Sequence, residues 1–239
     1  MGQYDPPNGL FCLMPAIVVE PRRLRGNLSV DDSNHDARSA NRDTQQAKGW
    51  TMARLFYLVS FLIMAPTFAL SQAFGINMGQ SISSLDIIEE PGTGVYQVNV
   101  PLPHNEFDSY LVVATENFGA CKVSGIGKSH GNDRYGTSVR SSFRKLSEAL
   151  ENKYGKPTED FDFLKPDALW DDSDEWVMAI LQNERFLNKF WTNLNGDVKG
   201  IGLGVSALGS SSSYVSLGYQ FSNFDDCVEE INSSGNKGL

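Results

Sequence analysis

A serine, a histidine and an aspartate lie together in SHGNDRYG, residues 129–136, and these residue types can form a nucleophilic site. The members of a nucleophilic triad must converge in space, and close neighbours along a chain usually do not. Ser129, His130 and Asp133 also stand beside glycine and asparagine, which favour turns. The segment therefore predicts a polar loop that leads into the following helix, and no catalytic residue is assigned to it.

Metal-binding spacings are absent from the sequence after residue 73. His104 and His130 are the only histidines there, and no HxH, HxxxH or CxxC pattern occurs, so no zinc site is predicted. The acid-rich segment DALWDDSDEW lacks the regular ligand spacing of an EF-hand loop, with its required glycine and closing glutamate. This segment is instead typical of the solvated start of a helix.

The sequence GIGLG, residues 200–204, has some of the glycines of a dinucleotide-binding fingerprint. That fingerprint requires a preceding strand, a helix that begins on the glycines, and an acidic residue further along. Here the glycines alternate with apolar residues inside a predicted strand, so they line one of its faces. The pattern predicts close packing of a helix or an aromatic ring over that face, and no cofactor.

Two amphipathic helices are the main elements that would position these segments. The first lies in TSVRSSFRKLSEALENKYGKP, with Thr137 or Ser138 as its N-terminal cap, and ends at Gly155. The second covers residues 173–187, and a shorter helix is predicted within residues 74–94. The apolar residues that give the first helix its inner face are Val139, Phe143, Leu146, Leu150 and Tyr154.

Alternating apolar residues predict antiparallel strands on both sides of these helices. The strands lie in VYQVNVPLP, FDSYLVVAT and GACKVSGIGK, and in a hairpin at residues 201–221. The tail NFDDCVEEI predicts a helical turn. The fold class is therefore α+β, with an antiparallel sheet and two main helices in a single domain.

The segment TMARLFYLVSFLIMAPTFALSQAFG, residues 51–75, is typical of a secretory signal peptide. Arg54 precedes an apolar run that ends at Pro66, and small residues follow. Cleavage is predicted after Ser71 or after Ala73. The alternative is an uncleaved membrane anchor, which requires roughly 20 apolar residues, and the proline interrupts this run before that length.

A signal peptide normally begins a chain, and the residues in front of this one have no periodic apolar pattern. The simplest interpretation is that Met52 is the true start. The predicted organisation is a non-structural upstream extension at residues 1–51, a signal peptide at 52–73 and a mature α+β domain at 74–239. The mature domain is predicted to be periplasmic or secreted.

The mature segment contains two cysteines, Cys121 and Cys227, while Cys12 lies upstream of the signal peptide. An even number of cysteines in an oxidising compartment favours a disulfide. The bridge would close a long loop and stabilise the fold by roughly 4–5 kcal/mol on chain-entropy grounds. The alternative is two separate buried thiols.

The charge of the mature segment limits its partners. Residues 74–239 contain 13 Lys and Arg against 23 Asp and Glu, which gives a formal charge of −10. Such an acidic domain is a poor match for nucleic acid and for anionic membrane surfaces. We expect an unknown envelope protein or component as partner, with no nucleic acid and no stable membrane anchor after cleavage.

The motifs FGINMG, YGKP and SYVSLGYQFSN, with a cysteine near the last of them, resemble those of a group of small exported proteins of Gram-negative bacteria that has no assigned activity. MGQS and YGKP are also similar, at the level of fold, to small periplasmic α+β modules of the outer-membrane assembly and β-lactamase-inhibitor type. These resemblances imply an exported α+β domain and carry over no functional residue.

Two function hypotheses follow. The first is a non-enzymatic periplasmic protein that binds another protein or an envelope component, in keeping with strand edges that can recruit a partner strand. The second is a small exported hydrolase that uses His130 or His104 with a carboxylate. The first is favoured because no coherent catalytic set is present.

Overall fold

The computed structural model describes the backbone of residues 72–235 and the side chains of residues 72–234. The predicted upstream extension, Cys12 and the signal peptide up to Ser71 lie outside the described residues. The described chain is built on one eight-stranded antiparallel sheet and contains three α-helices. The predicted α+β class and the antiparallel sheet are confirmed.

The strands and helices follow a nearly symmetric plan. The strands are β1 (Gln72–Ala73), β2 (Ile76–Asn77), β3 (Asp86–Gly92), β4 (Val95–Asn99), β5 (Phe107–Thr115), β6 (Gly119–Gly127), β7 (Glu159–Leu164), β8 (Arg185–Thr192), β9 (Val198–Gly209) and β10 (Ser212–Phe221). The helices are α1 (Thr137–Tyr154), α2 (Trp176–Leu181) and α3 (Phe224–Gly235). The sheet order is β3-β4-β5-β6-β10-β9-β8-β7, so two four-stranded meanders meet where β6 pairs with β10, and each meander is followed by a helix.

One face of the sheet, here called the inner face, is closed by α1 and α2. Alternate residues of β9 and β10, among them Ile201, Leu203, Val215 and Leu217, pack there in one cluster with the apolar sides of both helices. Trp191 of β8 joins this cluster with 1 % of its surface exposed, and its indole N–H donates to the carbonyl oxygen of Gly155 at 2.8 Å. This face contains the main hydrophobic core.

Helix α1 has the predicted apolar face, but the predicted cap at Thr137 or Ser138 is wrong, since both residues lie inside the helix. Gly136, in the left-handed region at φ 65°, occupies the capping position, and the Trp176 ring lies where a Cβ would stand. The carboxylate of Asp133 accepts hydrogen bonds from the backbone N–H groups of Thr137 and Ser138 at 2.8 and 2.7 Å. The polar loop predicted for residues 129–136 thus begins the helix.

The opposite face, here called the outer face, is covered at one end by α3. A second, small cluster holds this helix, made of Cys121, Phe224 and Cys227. Cys121 and Cys227 form a disulfide with their Cα atoms 6.5 Å apart. The bridge joins α3 to a bulge of β6, where the register with β5 shifts. The tail predicted as a helical turn is therefore a twelve-residue helix.

Two predicted helices are wrong in part. Residues 86–92 form β3 rather than the end of a short helix, because they pair with β4 across the turn at Gly94, and only Ile82–Ser84 makes a 3-10 turn. The helix predicted for residues 173–187 ends at Leu181, since Asn183 adopts a left-handed conformation at φ 57° and starts a turn into β8. Leu187 consequently lies on a strand.

The described chain starts with a short ribbon that pairs β1 with β2. Ala73 in this ribbon is fully buried in the main core, so the predicted boundary after residue 73 falls inside a packed element. None of the helices within residues 72–235 is long and apolar enough to cross a membrane.

Candidate functional site

His130 is half-buried and contacts two buried serines. It forms an antiparallel bridge with Ser213, and its Nε2 lies 3.4 Å from the hydroxyl of Ser142 on α1. Ser142 is itself buried, and Asp133 is occupied by its three hydrogen bonds to the start of α1. Ser129, the serine of the loop, hydrogen-bonds with the hydroxyl of Ser212 at 2.9 Å. The contacts of Ser129, His130 and Asp133 thus go to three different partners and do not bring the three side chains together.

His104 is exposed and lies in the segment between β4 and β5. Its Nδ1 accepts a hydrogen bond from the backbone N–H of Glu106 at 3.2 Å, and its ring packs against Phe107. No carboxylate hydrogen-bonds to either histidine within the described part of the chain. The two histidines also share no metal cluster there, since no group of three potential ligands occurs among residues 72–234.

The acidic segment around α2 has structural contacts. Asp174 forms a salt bridge with Arg134 at 2.9 Å, and the carboxylate of Glu184 accepts the backbone N–H groups of Leu169 and Trp170. These contacts fasten the loop before α2 to its neighbours, as expected of a solvated helix start.

A cavity of about 230 Å³ lies between the β8–β9 turn and the start of α3. Its lining includes Thr192, Lys199, Gln220 and Asp225, and the Oε1 atom of Gln220 has no hydrogen-bond partner among the described residues. No histidine lines this cavity, so it does not join a histidine to a carboxylate.

The glycines of β9 lie on the outer face. Gly204 faces Asn188 of β8, whose amide oxygen stands where a Cβ would be, and Gly202 is the cross-strand partner of Phe190. Gly204 has the close packing that was predicted, and it is the amide of Asn188, rather than a helix or an aromatic ring, that supplies it. The strip lies inside β9 and does not open a helix, so it lacks the geometry of the dinucleotide-binding fingerprint.

Beside these glycines, four rings form an aromatic cluster on the outer face, here called the phenylalanine cluster and made of Phe161, Phe163, Phe186 and Phe190. Phe163 stacks on Phe186 with ring centres 5.1 Å apart, and Phe161 meets Phe163 and Phe190 edge-on at 6.3 and 6.0 Å. Phe163 remains 37 % exposed. An aromatic cluster of this kind is suited to apolar contact with a partner.

Carboxylates lie on the inner side of β7, the side opposite the phenylalanine cluster. Asp160 and Asp162 alternate with the two phenylalanines of β7, so they point to the inner side. Lys189 bridges Asp160 at 3.2 Å and Glu151 at 2.8 Å. Hydrogen bonds from Lys189 and Ser147 lower the pKa of Glu151. Burial of Lys189 lowers the pKa of its own ammonium group, but the hydrogen bonds of this group to Glu151 and Asp160 outweigh the effect of burial. The pKa of Lys189 is therefore raised.

The acidity continues beyond the strand. Residues 159–175 contain eight carboxylates against one lysine, Lys165, whose ammonium lies 5.5 Å from the Phe186 ring centre. The combined site is a strand with an aromatic side and an acidic side at the border of the sheet. We call this site the β7 edge, defined by residues 159–164 with the phenylalanine cluster.

Sequence reasoning missed the β7 edge, although the alternation in EDFDFL was visible. Acidic residues are unfavourable in strands and the segment lies between Pro157 and Pro166, so no element was predicted there. Comparisons of the chain with protein-family models, with curated proteins and with solved structures each gave no match.

Proposed function

We propose that the chain is exported and acts as a single-domain, non-enzymatic protein that binds a protein partner of the cell envelope through the β7 edge. The observation that carries this proposal is the phenylalanine cluster, which places an exposed aromatic ring on the outermost strand of the sheet. Exposed aromatic residues at such places are typical anchors of protein interfaces.

Export is supported by the disulfide together with the signal-like segment, because disulfides persist in oxidising compartments. Of the two predicted cleavage positions, the one after Ser71 is favoured. It leaves Gln72 and Ala73 attached, and Ala73 is fully buried in the core. Cleavage after Ala73 would remove β1 from its pairing with β2.

The hydrolase hypothesis has less support. It requires a histidine beside a carboxylate in an accessible cleft, whereas His104 and His130 contact a buried serine, a backbone amide and an aromatic ring. We therefore infer binding rather than catalysis as the activity of the domain.

The experiment is site-specific photo-crosslinking in cells of the source organism, with a photoreactive phenylalanine analogue at position 163. Phe118 provides a matched control position, since it is the same residue type and is 39 % exposed on the β5–β6 turn. We expect a discrete crosslinked protein from position 163 and none from position 118. Equal crosslinking at both positions, or none from 163, would contradict the proposal.

A further inference from the structure

We propose that the β7 edge binds its partner by strand addition, and that the partner segment is extended and alternates cationic with apolar residues. This inference rests on the proposed function, because it names the mode and the chemistry of binding at the same site. It follows from a comparison of the two outermost strands of the sheet, β3 and β7.

The edge formed by β3 is protected against strand addition. Its register with β4 shifts twice, between Ile87 and Glu89 and again before Gly92, and Pro91 lies in the second irregular stretch. Bulges and proline are the devices by which natural sheets prevent edge-to-edge pairing. A partner strand would find no regular ladder of hydrogen-bonding groups there.

The edge formed by β7 is regular. All six of its residues pair with β8 in an unbroken register from Glu159 to Leu164, and the strand contains no proline. Within the described residues no other strand pairs with β7, so alternate backbone groups along its free side are available to a ladder. This is the geometry that peptides use when they add a strand to a sheet.

The negative charge of β7 determines which kind of strand can pair with it. The carboxylates of Asp160 and Asp162 remain 52 % and 62 % exposed beside their contacts with Lys189 and Arg185, and the Arg185 contact is long at 3.9 Å. A second copy of the chain would set acidic residues against acidic residues, which is unfavourable across a strand pair. A cationic segment is attracted by the same groups and by the acidic residues that follow the strand.

The two faces of β7 set the pattern of the partner sequence. A side chain opposite Asp160 or Asp162 lies on the inner side, where lysine or arginine is favoured. A side chain opposite Phe161 or Phe163 lies on the outer side, where an apolar residue extends the phenylalanine cluster. The predicted motif is therefore cation–apolar–cation–apolar over about six residues, the length of the strand.

The test is a titration of the mature domain with four kinds of labelled peptide, followed by fluorescence anisotropy. The first peptide is KVKVKVK. The second, KKKKVVV, has the same composition without the alternation; the third, EVEVEVE, reverses the charge; the fourth is KVKVKVK with methyl groups on alternate backbone nitrogens, made in both registers. We expect the first peptide to bind at least about tenfold more tightly than the second, the third and the methylated register whose methyl groups face β7. The other methylated register leaves the ladder N–H groups free and should bind as the first peptide does.

Two protein variants complete the test. Asp160→Lys with Asp162→Lys should weaken KVKVKVK by at least about tenfold and should favour EVEVEVE, while Asp225→Lys with Asp226→Lys on exposed positions of α3 should change binding by less than about twofold. Circular dichroism and sedimentation establish that both variants are folded monomers.

The outcomes separate the mode of binding from the function. Equal binding of KVKVKVK and KKKKVVV, unaffected binding of both methylated registers, or dimerisation of the domain through β7 would overturn strand addition. If crosslinking at position 163 still captures a partner in that case, the proposed function stands and only the mode is wrong. If neither the peptides nor the crosslinker finds a partner at this edge, both proposals fail.

Discussion

The two faces of the sheet are built from the same strands and differ in almost every property. The inner face carries large apolar side chains under α1 and α2 and forms one continuous core. The outer face carries glycine, serine and the phenylalanine cluster, and α3 covers it only at one end through a small cluster and a disulfide. Because side chains alternate along a strand, one sequence can specify a face for stability and a face for binding.

The largest effect should come from the inner face. We expect Trp191→Ala to lower the free energy of unfolding by about 3–5 kcal/mol, since it removes a fully buried ring and leaves a cavity. Phe163→Ala on the outer face should lower it by only about 1 kcal/mol, because the ring is already partly exposed. Urea unfolding of both variants measures the difference, and equal losses would contradict the division of the two faces.

The disulfide should contribute the next largest effect. Cys121→Ser and Cys227→Ser should each lower the free energy of unfolding by about 2–5 kcal/mol, because the bridge closes a loop with a sequence separation of 106 residues. The double variant should lose little more than either single one. Faster amide exchange confined to α3 would show that the bridge mainly holds this helix, and a loss below about 1 kcal/mol would contradict its stabilising role.

A smaller effect is expected at the start of α1. Asp133→Ala should destabilise the protein by about 1 kcal/mol, because it removes the carboxylate that accepts the first backbone N–H groups of the helix. Asp172→Ala is the matched control, since Asp172 precedes a 3-10 turn and makes no capping hydrogen bond through its side chain. Thermal unfolding should separate the two variants, and equal shifts would argue against the cap.

The smallest effect concerns the contact of Glu151 with Lys189. The lowered pKa of Glu151 means that its stabilising contribution is present above the unfolded pKa, about 4.3, and is lost as the pH falls through the lower folded pKa. Glu151→Gln should therefore cost less than about 1 kcal/mol at pH 7 and should flatten the stability profile below pH 4. Unfolding series at pH 3 and pH 7 test this, and an unchanged slope would contradict it.

The sequence predicts the inner face better than the outer one. Helix α1 was predictable because its apolar residues recur at helical spacing and Gly155 marks its end. The hairpin of β9 and β10 was predictable because both strands alternate regularly. These patterns are local, so they can be recognised without knowledge of the partner strands.

The two edge strands, β3 and β7, depend on pairing that their own residue types do not reveal. The segment DIIEEPG has serines before it and proline near its end, as a short helix would, and only its pairing with β4 makes it a strand. The strand EDFDFL is stabilised by β8, which begins 21 residues after it ends. The β7 edge is consequently a product of topology, and its residue types alone do not predict a strand.

The most direct test of the account is amide hydrogen exchange of the mature domain with and without a saturating amount of KVKVKVK. We predict slower exchange on alternate residues of β7, whose free-side N–H groups enter the new ladder, with no change in β3 or α1. Protection of β3 instead, or uniform protection across the domain without a change at β7, would contradict the assignment of binding to the β7 edge.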